Sequence, residues 1–295
     1  MKEAFFKLHL SIFLAGFTGI FGKLISLNEG LLVWYRLMAT SIIFGIILFL
    51  GGKLRKVSLK DFAKIGSAGF LLALHWVFFY ASIKASNVSI GVVCFSLVGL
   101  FTALFDPLIN KRKVSFKELL FSLITLVGVS IIFHFDVRYH LGIILGVISS
   151  ALCALFSIFN QKIGKKHPAG TILEYEMIGG FLAISALLPI YLKFFPVETI
   201  IPSSLDLIYL VIFCLFCTIG LYMLQIQVLK KISAFTMNLS YNLEPVYSIV
   251  IAMIIFKEAN DLNSSFYVGL LLIIFSVFLQ TLSVMMERKK ILPQT

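Results

Sequence analysis

Charged residues are scarce in this chain: Asp, Glu, Lys and Arg make up 13% of its 295 residues, against about 25% in a typical soluble domain. That scarcity excludes an ordinary soluble globular domain, because too few polar side chains remain to cover a water-facing surface. Acidic residues are scarcest, 14 against 25 basic ones, for a formal net charge of +11. The excess does not point to nucleic acid. The basic residues sit in short clusters between apolar blocks, where they act as topology signals rather than as one binding patch. Cysteine is limited to Cys94, Cys153, Cys214 and Cys217, all inside apolar stretches. Cys214 and Cys217 have CxxC spacing, read as small packing residues, with redox or metal chemistry as the alternative. No GxxxxGK[ST] loop occurs, so any transport would be secondary rather than ATP-driven. No catalytic grouping of His, Asp or Ser marks one membrane face, so neither an enzyme nor a cofactor is expected.

Apolar residues are abundant: 60% of the chain is hydrophobic, with 30 Phe and a mean hydropathy of +1.02. They come in long blocks, as a bilayer solvent demands, since about 20 residues of apolar helix cross the hydrocarbon core. The blocks predict an all-α membrane protein with ten transmembrane helices, at 6–25, 31–50, 62–83, 86–109, 116–134, 141–161, 171–193, 205–229, 233–256 and 265–286. The N-terminal run lacks a small-residue cleavage site and is read as the first span rather than a signal peptide.

Charge placement orients these spans. With a cytoplasmic N-terminus, the inner segments around 2–7, 53–60, 111–117, 162–166, 230–231 and 288–290 hold 18 of the 25 Lys and Arg residues. The outer segments hold only Lys84, Arg138, Lys193 and Lys257. This asymmetry predicts a multi-pass protein of the plasma (inner) membrane with both termini cytoplasmic.

The chain also repeats itself. "VCFSLVGLFTALFDPLINKRK" aligns with "NLSYNLEPVYSIVIAMIIFKE", pairing Lys84 with Lys230, Cys94 with Ser240, Phe101 with Tyr247 and Arg112 with Glu258. Five spans per half force the second copy into the membrane upside down. This predicts two inverted five-helix repeats, at 6–136 and 139–286, followed by a cytoplasmic tail at 287–295. Inverted repeats around a midplane site suit alternating access.

Polar groups within spans are costly and commonly line a pathway. Asn238, Tyr241, Asn242 and Pro245 fall at i, i+3, i+4 and i+7, on one face of the ninth helix. Glu244 lies near mid-span. Pro245 lacks an N–H, so the carbonyl of Tyr241 loses its helical partner and the helix should kink. The expectation is a substrate-binding surface at Asn238, Tyr241, Asn242 and Glu244; interhelical hydrogen bonding is the alternative. His75, Trp76, Phe79 and Tyr80 on the third helix read either as cavity-lining or as structural and interfacial groups. A lone intramembrane His is not a metal site. Lys23 and Arg36 lie near the outer ends of helices 1 and 2, as gating charges or snorkelling groups, with Glu29 a partner for one of them. The repeat pairs Arg36 with Glu176; Glu174 lies close by, and Lys162 or Lys165 is a partner for either at an inner gate. Asp106-Pro107 reads as a kink with a structural salt bridge to Lys111 or Arg112.

With these residues in hand, the chain resembles the drug/metabolite transporter superfamily, specifically its EamA-type members with two EamA repeats, over about residues 6–286. Lys23, Arg36, "HWVFFYASIKASNVSIG" and "EPVYSIVIAMIIFKE" carry the resemblance. The family's Pro in the last helix but one, and the Glu at its far end, are matched by Pro245 and Glu258. The first repeat departs, with Gly99 for Pro and Arg112 for Glu, and "LNEG" replaces the Pro before helix 2. The resemblance implies a central cavity between the halves. It also implies efflux or exchange of small polar metabolites such as amino acids, with proton coupling and a homodimer left open. The rival readings are an intramembrane lipid-handling protein (a flippase or lipid-modifying enzyme) and a non-transporting membrane scaffold.

Overall fold

The computed structural model describes residues 2–134, 139–261 and 264–291. Arg138, the end of the first predicted repeat at 135–136 and the tail residues 292–295 lie outside the described residues, and so does the side chain of Asn242. No strand occurs among the described residues. The helices are α1 (Lys2–Ala15), α2 (Thr18–Leu24), α3 (Glu29–Leu50), α4 (Leu59–Ala85), α5 (Val88–Phe95), α6 (Val98–Asn110) and α7 (Phe116–His134) in the first half. The second half holds α8 (His140–Ile163), α9 (Ala169–Phe194), α10 (Ser204–Cys214), α11 (Leu221–Leu229), α12 (Ala234–Ser240), α13 (Glu244–Phe256) and α14 (Ser264–Ile291). Among the described residues, eight helical stretches are long and apolar enough to cross a membrane. Three are interrupted, where α1 meets α2, α5 meets α6 and α12 meets α13, and a fourth holds a π turn at Leu215–Gly220 between α10 and α11.

Short polar side chains start the helices where the apolar runs begin. Asn28, Ser58, Asn87, Ser203 and Ser233 each accept a backbone N–H three residues on, and each such cap stabilises its helix by about 1 kcal/mol. Asn87 and Ser233 stand 146 residues apart. So do Lys111 and Lys257, which end α6 and α13 in the left-handed conformation at φ 52° and 57°. The two copies therefore begin and end the same helix at matching positions. The break between α12 and α13 falls at Tyr241–Leu243, where the Pro245 ring would collide with the Tyr241 carbonyl of an unbroken helix. Its counterpart at Ser96–Leu97 occurs without proline.

The halves interleave. α1 packs on α11, α4 on α8, α3 on α9, α7 on α14, α5 on α13 and α6 on α12. The crossing of α4 and α9 is close enough that a Cβ on Gly69 would come 2.0 Å from the Glu176 carbonyl oxygen, and one on Gly179 2.3 Å from the Gly66 Cα. Only glycine permits that approach, and without an aqueous driving force such close packing holds membrane helices together. Polar contacts gather the loops at two ends. At one, Lys231 lies 3.7 Å from Glu3, Lys230 donates to the His167 carbonyl and Tyr175 to the Arg55 carbonyl. At the other, Lys84 donates to the Leu27 carbonyl and Ser26 to Asp206. Arg112 bridges Asp106 and Glu118, both at 2.6 Å, which is the structural salt bridge expected beside Pro107.

Candidate functional site

The interruptions open the middle of the bundle. α1 gives way to α2 at Gly16, whose carbonyl accepts from Ser248 of α13 at 2.7 Å. That bend brings Ala15 and Thr18 to the wall of a narrow central cavity of about 30 Å³. α4 supplies His75, Trp76, Phe79 and Tyr80, and α5 supplies Phe95. The second half supplies Cys153 from α8, Leu221, Tyr222 and Gln225 from α11, Tyr241 from the break before α13 and Glu244 from the start of α13. Five of the residues expected to bind substrate thus meet in one cavity: His75, Trp76, Tyr80, Tyr241 and Glu244.

Hydrogen bonds hold the aromatic wall. His75 Nδ1 lies 3.0 Å from the Ser149 carbonyl oxygen and 2.8 Å from Ser149 Oγ, which holds the ring of α4 against α8. Trp76 Nε1 donates to the Tyr222 hydroxyl at 2.9 Å, and the Tyr241 hydroxyl donates to Ser11 Oγ at 2.9 Å. Glu244 is 3% exposed, with the Thr18 hydroxyl beside it. Asn238 is not on the wall. Its amide donates to Thr102 Oγ1 at 2.9 Å and accepts from Ser157 at 3.0 Å, so it ties α12 to α6 and α8. Asn242 lies in the helix break, with its side chain outside the described residues.

Arg36 turns inward instead of snorkelling. It is fully buried, with its guanidinium 3.6 Å from the Trp76 ring centroid and 4.0 Å from that of Phe213. Nε donates to Thr218 Oγ1 at 2.9 Å, Nη1 to the Tyr80 hydroxyl at 2.5 Å and Nη2 to the Cys217 carbonyl at 3.0 Å. Two of these acceptors belong to the π turn, whose wider spacing leaves carbonyls without helical partners. Among the described residues no carboxylate pairs with Arg36. Glu29 instead accepts from the Tyr191 hydroxyl at 2.5 Å.

Lys23 pairs with Glu258 at 2.8 Å, not with Glu29. Glu258 also accepts from the backbone N–H of Val88 and Ser89 and from the Ser89 hydroxyl, at 3.1, 3.0 and 2.7 Å. Glu258 lies beyond the end of α13. Its carboxyl sits below the usual carboxylate range: burial pushes it up, but the Lys23 and Ser89 donors outweigh burial. Glu176 is fully buried and neither of its carboxylate oxygens has a partner among the described residues. Glu174 lies against Gly45, with Oε2 likewise unpartnered. Neither reaches Lys162, which donates to the Ile109 carbonyl; among the described residues no ion pair joins Lys162 or Lys165 to these glutamates. Depth separates them: Glu176 lies two turns inside α9, turned toward α4, while Lys162 and Lys165 stay at the helix ends.

Thr18, Tyr222 and Gln225 are not among the residues the sequence points to, and Cys153 is noted there only as a cysteine in an apolar stretch. Tyr222 and Gln225 stand three apart in an apolar span, a signal that polar groups inside membranes carry function. Thr18 and Cys153 left no such mark. Among the described residues no group of three or more His, Cys, Asp or Glu side chains comes together to hold a metal.

The comparisons with known proteins bear on this architecture. The EamA-like transporter family matches residues 4–134 and again 140–282. An uncharacterised transporter, YxxF, of Bacillus subtilis (strain 168) is 24% identical over 168 residues, 56% of this chain and 54% of the relative. An uncharacterised transporter of Archaeoglobus fulgidus is 21% identical over 155 residues, 52% of this chain and 55% of the relative. The matched part thus spans about half the length of these relatives. A solved crystal structure shares the fold at a TM-score of 0.67 and 15% identity, covering 95% of this chain and 97% of the other. Two family matches, one per half, join eight membrane-length apolar helices in a multi-pass membrane protein. The chain belongs to the EamA-like transporter family.

Proposed function

We propose that this protein is a secondary transporter, an exporter or exchanger of small polar metabolites such as amino acids, working by alternating access around the central cavity. The observation that carries the reading is the convergence of His75, Trp76 and Tyr80 from the first half with Tyr222, Tyr241 and Glu244 from the second on one buried cavity. A carboxylate at mid-span, where burial is costly, is retained for a purpose. A wall shared between two inverted halves is exposed to either side when one half rocks against the other.

In this reading the chain crosses the plasma (inner) membrane ten times as repeats 6–136 and 139–286, with both termini and the tail 287–295 cytoplasmic. α7 and α14 supply the remaining two spans. Lys23 with Glu258 closes the outer side, Arg36 backs the cavity, and Glu174 and Glu176 serve movements at the inner side. Glu244 is the residue through which a proton would couple.

The test is a metabolite comparison between cells overproducing the protein and cells lacking it, followed by uptake of the leading candidate into proteoliposomes. A solute whose level changes and whose uptake depends on the protein supports the reading. Absence of protein-dependent flux for every candidate removes it.

A further inference from the structure

A groove of about 480 Å³ lies on the outside of the bundle between α3 and α9, and it shares no lining residue with the central cavity. Ile42, Ile46 and Phe49 of α3, all exposed, form one wall, and Ile178 of α9 stands on the other. Apolar walls alone would take any hydrocarbon. This groove also holds Glu174, which is 4% exposed and whose Oε2 has no partner among the described residues. Gly45 keeps room for that carboxylate, since a Cβ there would come 3.0 Å from Glu174 Oε1. The loop joining α3 to α4 borders the groove: Leu54 lines it, and Tyr175 of the α9 wall donates to the Arg55 carbonyl at 3.0 Å. Lys53, Arg55 and Lys56 are exposed on that loop. The groove thus carries an acid at its floor and bases at its rim.

Depth adds to this. α9 has 26 residues, about 39 Å at 1.5 Å per residue, against a hydrocarbon core of about 30 Å. Its first turn therefore stands in the headgroup layer, and Glu174 stands at the boundary beneath it. A carboxylate left there without a donor is costly.

We infer that the groove binds a phospholipid with a primary ammonium headgroup, such as phosphatidylethanolamine. An acyl chain lies along Ile42, Ile46 and Phe49, the phosphate meets Lys53 and Arg55, and the ammonium meets Glu174. The unpartnered oxygen needs an N–H, which a primary ammonium supplies and the trimethylated ammonium of phosphatidylcholine does not. Phosphatidylglycerol would satisfy the basic rim but bring no cation to Glu174. A long-chain amine would reach Glu174 but leave the rim without an anion. Because α3 belongs to the first half and α9 to the second, the lipid bridges the halves and holds their present arrangement.

The test offers the purified full-length protein, in detergent, phosphatidylethanolamine, phosphatidylcholine and phosphatidylglycerol of identical acyl chains, and a long-chain alkylamine. Bound molecules are counted by native mass spectrometry. Phosphatidylethanolamine should be retained at least about tenfold more than each of the others, the order of one charge-assisted contact. It should also raise the midpoint of thermal unfolding where phosphatidylcholine does not. This comparison needs no variant, so a misfolded mutant cannot hide the answer. Glu174→Gln removes the charge at nearly constant volume and should bring phosphatidylethanolamine down to the level of phosphatidylcholine. Ile46→Trp fills the groove from an exposed position and should lower phosphatidylethanolamine retention while leaving Glu174 in place. Equal retention of phosphatidylethanolamine and any one of the other three, or undiminished retention in either variant, overturns the proposal. None of these readings involves flux, so the lipid site and the transporter reading fail separately.

Discussion

Lys23 and Glu258 meet at 2.8 Å across 235 residues of sequence, and the same carboxylate caps the start of α5 through Val88 and Ser89. One side chain therefore ties α2, α5 and the end of α13 together at one end of the bundle. At the matching position of the first repeat stands Arg112, which turns to Asp106 and Glu118 within its own half. The two ends are fastened differently.

Glu258→Gln should loosen that end. The variant loses the ion pair and turns one of the two accepting oxygens into a donor, a loss of about 1–3 kcal/mol, read as a lower midpoint of thermal unfolding in detergent. The wild type should show the same weakness in acid. The carboxyl is held below its ordinary range, so its contribution is complete above the unfolded-state value near pH 4 and is lost as pH falls through the lower folded value. Glu258→Gln should flatten that acid limb. An identical midpoint and acid limb in the variant would remove the latch.

Glu244→Gln should lower transport of the identified solute by at least about tenfold, the order of one charge-assisted contact. Membrane insertion and expression should be unchanged, because glutamine has the same shape and still accepts from the Thr18 hydroxyl. Proteoliposome flux and quantitative immunoblotting check both halves of the statement. A wild-type rate in the variant would take Glu244 out of the site.

Much of this fold was legible in the sequence because hydrocarbon permits so few solutions. Apolar block length set the helices, and the described helices start and stop within a few residues of the predicted spans. The site was legible where polarity and burial conflict, as at Glu244, His75 and Tyr241. The caging of Arg36 was not, because Trp76 and Phe213 reach it from distant segments and no local pattern marks them. The breaks at Gly16 and Ser96 were equally silent: without proline, a helix bends where its neighbours press, and those neighbours are remote in sequence. Asn238 shows the opposite limit. Its spacing from Tyr241 puts the two on one face, yet Tyr241 lines the cavity while Asn238 bonds to Thr102 and Ser157, and spacing does not say whether a polar group meets solute or another helix.

Glu176→Met should raise the thermal midpoint. The native carboxylate is buried with both oxygens unpartnered among the described residues, and an unsatisfied buried polar group costs about 1–3 kcal/mol. Methionine fills a similar volume without that cost. Transport should slow in the same variant, since a group kept against stability is kept for a movement. A lower midpoint would show that Glu176 stabilises the bundle.

Reporter fusions after residues 30, 137 and 200 should report the outside, and those after 55, 113, 165 and 290 the inside. Paired alkaline phosphatase and fluorescent protein fusions read this directly. A reversed signal at any one site breaks the ten-span orientation.

The π turn at Leu215–Gly220 makes the arginine cage a matter of residue count. Its wide turn needs one residue more than an α-turn over the same rise. Removing one residue there would let an ordinary α-turn fill the same rise and leave the helix beyond it in place. Tyr222 and Gln225 would stay on the cavity wall, but the carbonyl that now faces Arg36 would take a helical partner. Length, more than spelling, therefore decides whether the arginine keeps its backbone acceptor.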